Sequence, residues 1–563
     1  VVKGLQCLGE DKYDKMHACA KHFAVHSGPE WNRHTFNAEN ISPRDLYETY
    51  LPAFEALVKE GNVKEVMCAY NRFEGDPCCD SDQLLINILR NEWNYQGIVV
   101  SDCWAISDFY REENSHRTHA DSASASAAAV LSGTDLECGN SYQSLVDGVK
   151  RGLIKESDID VSVKRLLKAR YELGEMDDPA EVSWTKIPFS VVASKEHHEQ
   201  ALEMARKTMT LHQNKNNALP IHRGGKTIAV MGPNANDSIM QWGNYNGEPA
   251  STITILDGIR KAAGKDDQIV YVPGCSWVET TLTLDDKTKV EVNIPETVAQ
   301  VKEADIVVFV GGISPRLEGE EMGVALPGFK GGDRTDIELP AIQRQLLKAL
   351  KAAGKQVVLV NCSGSPIGLE PETQSCDAIL QAWYPGQAGG QAVAEVLFGD
   401  YNPAGRLPVS IARNEGQLPI YYSKGKQRAY MDGEANALYS FGYGLSYTKF
   451  EYSDLQIKPG NGKDVLQTVT CTVKNTGDRD GQEVVQLYIR DMVASIAQAP
   501  ILLKAFERIE LKKGESKTVT FNLGKRELSM YNAALEEVVE PGDFKVMVGA
   551  ASDDIRLEGM FKL

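Results

Sequence analysis

The chain has 563 residues, of which 42% are hydrophobic and 25% are charged, a balance typical of globular proteins with several domains. Its formal net charge of −18 disfavours nucleic acid and anionic membranes as partners, because phosphate binding requires a basic surface. No run of about 18 apolar residues indicates a transmembrane helix, and no signal peptide is visible after Val1.

The first region, residues 1–175, alternates short apolar runs with helical stretches, which predicts the βα repeats of a parallel sheet or barrel. Strands are predicted at 19–25, 65–70, 97–101 and 133–136. Helices are predicted at 45–60, with Ser42 as its N-cap, and at 81–92, 120–132 and 157–171.

A linker is predicted at 176–200, followed by a second α/β region at 201–420 whose pattern predicts a doubly wound sandwich. Its strands are predicted at 227–231, 269–272, 306–310, 357–360 and 378–382, and a helix at 339–353. A connector rich in Gly and Tyr is predicted at 421–446. Residues 447–563 then alternate apolar and polar side chains at 466–474, 483–490, 517–523 and 543–549, which predicts an antiparallel β-sandwich.

The 11 cysteines are scattered, odd in number and without a C-x-x-C motif, and Cys78 and Cys79 are adjacent. This distribution predicts small core residues rather than a disulfide framework or a zinc site.

Asp102 ends the apolar run 97–101 and precedes a polar segment, 104–114. In an α/β barrel, a residue at the carboxyl end of a buried strand lies on the catalytic rim, so Asp102 is a candidate catalytic group. An aspartate that caps the next helix would give the same pattern, and at this point both interpretations stay open.

The carboxyl ends of the other predicted strands are also polar. They carry Lys21 and His22, Tyr70 and Asn71, and Asp135 to Glu137. If the strands are neighbours in one barrel, these side chains converge on a pocket suited to a neutral, polyhydroxylated ligand. Their repetition favours function, because burying polar groups is costly.

A second candidate cluster follows the strand predicted at 306–310, where Glu318, Glu320 and Glu321 share a glycine-containing loop. Repulsion between carboxylates in a confined site raises the pKa of one of them, as a general acid requires. On these residues alone, an exposed acidic loop is the favoured interpretation.

The chain resembles glycoside hydrolase family 3 in a series of motifs that cover essentially its whole length. They are Lys21-His22-Phe23, residues 66–71, residues 99–103, Glu318-Gly319-Glu320, Gly332-Asp333-Arg334, residues 383–390, residues 402–408 and residues 441–447. The resemblance implies an α/β multidomain fold with a partial (β/α) TIM-like barrel, an α/β/α sandwich and a C-terminal fibronectin III-like β-sandwich.

The resemblance also implies roles for individual residues. Asp102 resembles the catalytic nucleophile, and Glu320 resembles the acid/base, with Glu318 as the nearest rival and Glu321 third. The implied substrate-binding residues are Lys21, His22, Tyr70, Cys103 and Trp104. Single-domain hexosaminidases of the family use a loop histidine instead of the glutamate, and His26 and His34 lie on the corresponding loop, but their Asp-x-His pattern is absent here.

The implied reaction is retaining hydrolysis through a covalent glycosyl-enzyme, which needs no metal or organic cofactor. Retention requires two carboxyl groups about 5–5.5 Å apart, so the first two domains are expected to close on each other. Cys103 after the nucleophile, residues 243–247 and residues 26–34 resemble β-xylosidases acting on xylo-oligosaccharides. β-Glucosidase is the close alternative, with α-L-arabinofuranosidase as a side activity.

The sequence departs from the family in two ways. A family barrel needs about 250 residues, and only the C-terminal half of one is expected here. We therefore expect the chain alone to be inactive or to depend on an N-terminal barrel segment supplied elsewhere. Residues 210–214 also depart from the usual Leu-Leu-Lys-Asn.

Three other functions compete with hydrolysis: a carbohydrate-binding protein on the same scaffold, a nucleotide-binding module, and a metalloenzyme using His22, His26 and His34. No G-x-G-x-x-G follows a strand and no metal-binding spacing occurs, which disfavours the last two. Family members imply a periplasmic or secreted location, and homodimerisation stays open.

Overall fold

The computed structural model describes residues 1–25, 29–283, 287–418, 437–460, 464–496 and 498–563. They divide into two compact units, one that includes Val1–Val191 and one whose described residues run from Val192 onward. Within these ranges no helix combines the length and the apolar character that crossing a bilayer requires.

The first unit contains a parallel sheet whose strands, in spatial order, are Cys19–Phe23, Glu65–Cys68 and Ile98–Ser101. The strand Ile98–Ser101 is buried along its whole length, as its β-branched residues predict for a sheet covered on both faces. The expected fourth strand forms only one parallel bridge, between Val100 and Leu136. This arrangement is part of a (β/α) barrel.

The helix predicted at 45–60 is interrupted. It consists of Pro43–Asp45, a wide π-helical turn at Leu46–Tyr50, and Pro52–Lys59. Pro52 has no N–H and its ring excludes the preceding α-helical turn, which explains the break. The predicted N-cap is confirmed, because Ser42 Oγ accepts a hydrogen bond from the Asp45 amide at 3.0 Å.

The other helices of this unit include the three predicted at 81–92, 120–132 and 157–171, and two that were not predicted, Val2–Gln6 and Leu145–Lys150. They are Val2–Gln6, Asp82–Glu92 (π-helical), Ser122–Leu131, Leu145–Lys150 and Glu156–Glu172. Short 3-10 helices lie at Glu30–Asn32, Cys78–Asp80, Ala105–Phe109, Ser141–Ser144, Pro179–Glu181, Ser183–Lys186 and Phe189–Val191. Phe23, Leu84 and Phe109 are fully buried members of the core that the strands and helices share.

The second unit begins with a six-stranded sheet. From edge to edge its strands are Thr210–Asn214, Ala378–Gln381, Gln356–Cys362, Ile306–Gly312, Thr227–Met231 and Gln268–Val272. All pairings are parallel except that of Thr210–Asn214, which runs antiparallel at one edge. This edge strand was not predicted, because only one of its five residues is a large aliphatic.

Helices cover both faces of this sheet. One face packs against Lys195–Thr208, Ile255–Ala262 and Gly389–Phe398. The other packs against Ile294–Gln300 and Ala341–Ala352. The predicted α/β/α sandwich is therefore confirmed. The helix Lys195–Thr208 begins inside the stretch predicted as a linker. Shorter helices are Lys215–Asn217, Met240–Trp242, Glu372–Ser375, Glu415–Gln417 and Lys525–Leu528.

The C-terminal part of this unit is an antiparallel β-sandwich. One sheet has the order Phe450–Pro459, Gln467–Asn475, Ser516–Leu523. The other has the order Leu502–Leu511, Gly481–Asp491, Asp543–Ala551, Asp554–Lys562. The strands at 450–459, 502–511 and 554–562 were not predicted. All three lie at sheet edges, where few side chains are buried, although residues 554–558 do alternate polar and apolar side chains.

Short strands of two or three residues complete the structure. They are Asn37–Ala38, Arg72–Phe73, Asp76–Pro77, Thr281–Thr283, Lys289–Glu291, Ala325–Leu326, Phe329–Lys330, Asp333–Arg334, Met530–Tyr531 and Glu537–Val538. Most of the predicted connector, residues 421–436, lies outside the described residues.

Candidate active site

Asp102 lies directly after the strand Ile98–Ser101 and its backbone amide donates to the Cys68 carbonyl at 3.1 Å. Only 7% of the residue is exposed. Its Oδ1 accepts a hydrogen bond from the Cys103 amide at 2.8 Å. The next helix, Ala105–Phe109, has Trp104 at its N-cap position and no side-chain cap, so the alternative of a helix-capping aspartate is wrong.

The convergence predicted for neighbouring strand ends is observed for two of the candidate residues. His22 Nε2 lies 3.3 Å from Asp102 Oδ2, although a third strand separates the strands that carry them. His22 is half-buried, whereas the adjacent Lys21 is exposed. The first unit therefore presents a buried carboxylate against an imidazole at the carboxyl edge of its sheet.

Tyr70 is a buried neighbour of the Asp102 loop. Its hydroxyl donates to the Cys103 carbonyl at 2.6 Å. The guanidinium of Arg33 lies 4.5 Å from the centre of the Tyr70 ring, and the His34 ring packs edge-on against it at 4.7 Å. Contacts on the hydroxyl and on the ring thus fix Tyr70, and Tyr70 in turn supports the loop after the catalytic candidate.

Two disulfides correct the prediction that the cysteines are mostly small core residues and form no disulfide framework. Cys103 is bonded to Cys138, and Cys68 is bonded to Cys79. Their partners come from separate strands and loops, so the spacing in the sequence carries no sign of the pairing. Six of the seven remaining cysteines are buried free thiols, as predicted, and Cys19 is exposed.

Trp104, the last of the predicted substrate-binding residues, is 47% exposed. Its backbone has φ +66°, in the left-handed region that is costly for a large side chain. Its amide donates to the Cys138 carbonyl at 2.6 Å. The bond to Cys138 and the neighbouring disulfide hold this conformation, which leaves the indole exposed two residues after Asp102.

The acidic residues after the expected fourth strand do not join the candidate pocket. The Asp135 carboxylate is completely buried and accepts hydrogen bonds from Arg90, Arg165, Ser162 and the Val99 amide. Glu137 accepts bonds from two backbone amides at the start of the following 3-10 helix. These residues are structural, which corrects their placement at a functional rim.

Two buried polar residues that contact Tyr70 or His34 were not among the predicted site residues. Asp108, which is 1% exposed, has its Oδ2 2.7 Å from His34 Nδ1. His116 Nε2 lies 2.7 Å from the Tyr70 carbonyl oxygen, and burial lowers the pKa of His116. The sequence feature that could have indicated these residues is a set of histidines and an aspartate on the loops that follow the first and third strands. Of these, His34 was predicted only as a possible acid/base or metal ligand, and His26 lies outside the described residues.

In the second unit, Glu318 is held by three hydrogen bonds. Its Oε1 accepts from the Tyr384 hydroxyl at 2.7 Å and from the Gly364 amide at 3.0 Å, and its Oε2 accepts from Ser365 Oγ at 2.7 Å. Burial, together with the Glu318 charge, raises the pKa of Tyr384. Glu318 is therefore a fixed, hydrogen-bonded carboxylate rather than a solvated loop residue.

Glu320 differs from Glu318 in being exposed, and its carboxylate contacts the hydroxyl of Tyr245. The loop that carries it is ordered by backbone bonds from Gly319 to Gly332 and from Met322 to Gly331, each 3.1 Å long. Gly332 has φ +105°, and a Cβ there would lie 1.9 Å from the Gly319 carbonyl oxygen. The loop therefore requires glycine at this position and presents Glu320 at its surface.

Among the described residues, one group could in principle ligate a metal: Asp14, His17 and Glu172. The Lys64 ammonium lies 3.0 Å from Asp14 Oδ2 and 3.2 Å from Glu172 Oε2, so a cation of the chain already pairs with both carboxylates. The histidines His22 and His34 each face an aspartate instead. This geometry gives no support to the metalloenzyme alternative.

Three family models match the chain. Residues 1–169 match the glycosyl hydrolase family 3 N-terminal domain, residues 209–447 its C-terminal domain, and residues 483–552 a fibronectin type III-like domain. The chain belongs to glycosyl hydrolase family 3 and is a glycoside hydrolase.

Relatives with both xylosidase and glucosidase names are similar to the chain. A xylan 1,4-beta-xylosidase of Xylanibacter ruminicola is 41% identical over 98% of this chain and 79% of its own length. A periplasmic beta-glucosidase of Salmonella typhimurium is 35% identical over 98% of this chain and 74% of its own length.

Among solved structures, a β-glucosidase from Erythrobacter marinus is similar, with a TM-score of 0.87 and 32% identity over 100% of this chain and 76% of that one. An exo-β-xylosidase in complex with a xylobiose aziridine probe has a TM-score of 0.87 and 26% identity, over 100% of this chain and 74% of that one.

Proposed function

We propose that the chain is a retaining, exo-acting β-xylosidase that releases xylose from the non-reducing ends of xylo-oligosaccharides, with Asp102 as its nucleophile. The observation that carries this proposal is the buried Asp102 carboxylate at a strand end, with Oδ2 3.3 Å from His22 Nε2. A carboxylate at the carboxyl end of a barrel strand, held beside an imidazole, has the chemistry and the position that a nucleophile requires.

In the proposed reaction, an Asp102 oxygen attacks the anomeric carbon while the bond to the leaving oxygen breaks. A glutamic acid gives its proton to that oxygen, and the sugar is left as an ester of Asp102. The same glutamate then takes a proton from water, whose oxygen attacks the anomeric carbon and releases Asp102. The proposed acid/base is Glu320, because it is exposed, whereas Glu318 already accepts three hydrogen bonds.

Neighbouring side chains are proposed to bind the sugar. His22 and Lys21 donate to hydroxyl groups, and the exposed indole of Trp104 provides a flat apolar face for the ring. Tyr70 and the Cys103–Cys138 disulfide keep the Asp102 loop in place. All of these residues come from the first unit.

The preference for xylose is supported by the 41% identity to a xylan 1,4-beta-xylosidase and by Cys103 next to the nucleophile. The second candidate is a β-glucosidase, favoured by the 35% identity to a relative of that name and by the Erythrobacter marinus structure. α-L-Arabinofuranosidase activity is the expected side reaction.

The first experiment compares 4-nitrophenyl β-xyloside, β-glucoside and α-arabinofuranoside as substrates of the full-length protein. We expect the highest kcat/KM on the xyloside, β-xylose as the first product by NMR, and a 2-fluoro-xylosyl label on the Asp102 peptide. Asp102→Asn should lose more than about 10³-fold in kcat. The control is Asp160→Asn, which alters an exposed residue of the helix Glu156–Glu172.

Binding of xylobiose without turnover or label would favour the carbohydrate-binding alternative and refute hydrolysis. A higher kcat/KM on the glucoside than on the xyloside would show that the chain is a β-glucosidase and refute the preference for xylose. Initial release of α-xylose would refute retention.

A second experiment separates the two glutamates. Glu320→Gln should lower kcat/KM by about 10²–10⁴-fold on substrates with poor leaving groups. The loss should be far smaller on dinitrophenyl xyloside, because its dinitrophenolate leaving group departs without needing a proton. Added azide should restore turnover and give β-xylosyl azide. Glu318→Gln is the matched control. If azide rescues this variant and not Glu320→Gln, Glu318 is the acid/base.

The proposed compartment is outside the cytoplasm, in the periplasm or secreted. Two disulfides in the first unit support it, because disulfides persist in oxidising compartments, and the similar Salmonella typhimurium enzyme is named periplasmic. Recovery of the native protein in the soluble cytoplasmic fraction of its own cells, with all cysteines reduced, would contradict it.

A further inference from the structure

The second unit contains a large cleft, the junction cleft, where its α/β/α sandwich meets its C-terminal β-sandwich. The cleft has a volume of about 1490 Å³, which exceeds the roughly 300–1,000 Å³ of sites that hold one small ligand. Its walls include residues between 214 and 222 on one side and residues 449–452 and 476–479 on the other. Two of the motifs that carry the family resemblance, residues 402–408 and 441–447, also contribute to it, and neither supplies a proposed catalytic residue.

We infer that the junction cleft is a second sugar-binding site, which holds a neutral oligosaccharide chain. The inference goes beyond the proposed function, because none of the proposed catalytic or sugar-binding residues lines this cleft. Neither the family matches nor the named relatives assign a ligand to this part of the chain.

The charges of the junction cleft favour a neutral ligand. Its lining has five Lys or Arg side chains and five Asp or Glu side chains, so the two signs balance. Two ion pairs lie within it: Arg406 Nη2 is 2.6 Å from Glu483 Oε1, and Arg556 Nη2 is 2.8 Å from Asp554 Oδ2. The formal net charge of −18 repels anions from the molecule as a whole. A polar cleft without net charge therefore suits hydroxyl groups better than it suits a phosphate or a carboxylate.

Two tyrosines give the junction cleft a fixed aromatic surface. Tyr443 and Tyr447 line it, and both residues are partly exposed. The Tyr443 hydroxyl donates to the His212 carbonyl at 3.0 Å, and the Tyr447 hydroxyl donates to the Val396 carbonyl at 2.8 Å. These bonds tie both side chains to the backbone of the α/β/α sandwich. Because the rings are already ordered, packing a sugar ring against them costs little conformational entropy.

Several polar groups of the lining have no partner within the described part of the chain. Tyr452 is only 8% exposed, yet its hydroxyl is buried without a hydrogen bond, as is Arg406 Nε. Lys449 and Glu451 are exposed and form no ion pair there. Buried groups of this kind are rare because each is costly, so they point to oxygen atoms supplied by a ligand or by water in the cleft. Sugar hydroxyl groups, which both donate and accept, match all four groups.

The test measures the binding of xylohexaose by calorimetry to the full-length protein with Asp102→Asn, and cellohexaose is titrated in parallel. We expect two binding events with at least one of these neutral chains. Asp553, which lines the junction cleft, lies in an exposed turn between two strands of the β-sandwich. Asp553→Trp should obstruct the cleft and raise the Kd of one event at least tenfold. The matched control, Ala533→Trp, alters an exposed turn outside the cleft and should leave both Kd values unchanged.

A smaller substitution keeps the inference testable if the tryptophan variant fails to fold. Lys449→Ala should raise the Kd of the same event about fivefold, the effect of losing one hydrogen bond to a hydroxyl group. Its matched control is Lys474→Ala, which removes an exposed lysine of the strand Gln467–Asn475 outside the cleft. Hydrogen exchange of residues 443–452 should slow when the sugar is added. Hexagalacturonate, an anionic chain of equal length, should bind this site more weakly than the neutral chains.

Fewer than two binding events with both neutral chains would overturn the inference. So would equal Kd values for Asp553→Trp and Ala533→Trp, equal values for Lys449→Ala and Lys474→Ala, or unchanged hydrogen exchange of residues 443–452. Tighter binding of hexagalacturonate would overturn the assignment of a neutral ligand. Failure of the proposed function is recognised separately, because the unsubstituted protein would then show neither turnover nor the 2-fluoro-xylosyl label on Asp102, whereas the effect of Asp553→Trp on sugar binding would still be measurable.

Discussion

Replacing Asp135 by asparagine should destabilise the first unit severely. The Asp135 side chain is 0% exposed, and its oxygens lie 2.8 Å from Arg90 Nη2 and 2.7 Å from Arg165 Nη1. It also accepts bonds from Ser162 Oγ at 3.0 Å and from the Val99 amide at 2.9 Å. Asn keeps the size of the side chain, removes its charge and turns one acceptor into a donor.

The magnitude follows from the cations that are left behind. The Arg90 side chain is 8% exposed, and burial lowers the pKa of Arg90 while the Asp135 charge opposes that effect. Removing one partner of a buried ion pair costs about 3–5 kcal/mol, because the remaining charge is uncompensated. For a unit of this size, each kcal/mol lowers the melting temperature by about 2–4 °C, so Asp135→Asn should lower it by about 6–20 °C.

Calorimetry of the full chain would follow the transition of the first unit, with hydrogen exchange at the Val99 amide as a local probe. The control is Asp147→Asn, which breaks a pair with Arg151 in which the side chains are 59% and 41% exposed. Because exposed pairs contribute about 0–1 kcal/mol, this control should shift the transition by only a few degrees. A shift for Asp135→Asn as small as that of the control would refute the reasoning.

Two further predictions concern pH and covalent structure. Burial lowers the pKa of His212 to about 3, so below the ordinary value near 6.5 the unfolded chain binds a proton that the folded chain does not. The free energy of unfolding should therefore fall by about 2 kcal/mol between pH 7 and pH 5 because of neutral His212. His212→Leu should remove this part of the pH dependence, as measured by urea titrations at the two pH values. Replacing Cys103 and Cys138 together by Ala opens a loop that spans a separation of 35 residues and should lower the free energy of unfolding by about 4 kcal/mol. Cys19→Ala, which removes an exposed free thiol, serves as the control, and equal melting temperatures for the two variants would contradict the second prediction.

Local patterns in the sequence were sufficient to predict those elements whose structure depends mainly on residues close in the sequence. The strand predicted at 227–231 is observed as Thr227–Met231, because an apolar, β-branched run bounded by glycine specifies a buried strand by itself. Asp102 was placed correctly at a strand end for the same reason. Its contact with His22 could be predicted because the carboxyl ends of parallel strands lie at the same edge of a sheet.

Contacts between residues that are far apart in the sequence could not be predicted from these patterns. Asp135 occupies a strand end like Asp102, and only the arginines of two distant helices show that it is structural. Glu318 and Glu320 are nearly equivalent in the sequence. They differ because Tyr384 and the backbone near Gly364 bind the first of them.

The adjacent cysteines at 78 and 79 have a practical consequence. Cys79 is bonded to Cys68, while Cys78 is a buried free thiol one residue away. During oxidative folding, Cys68 has two competing partners that differ by a single position, and thiolate exchange interconverts the two products. Recombinant preparations should therefore contain a mispaired isomer whenever oxidation precedes burial of Cys78, and a disulfide isomerase, or serine at position 78, should raise the yield of native material.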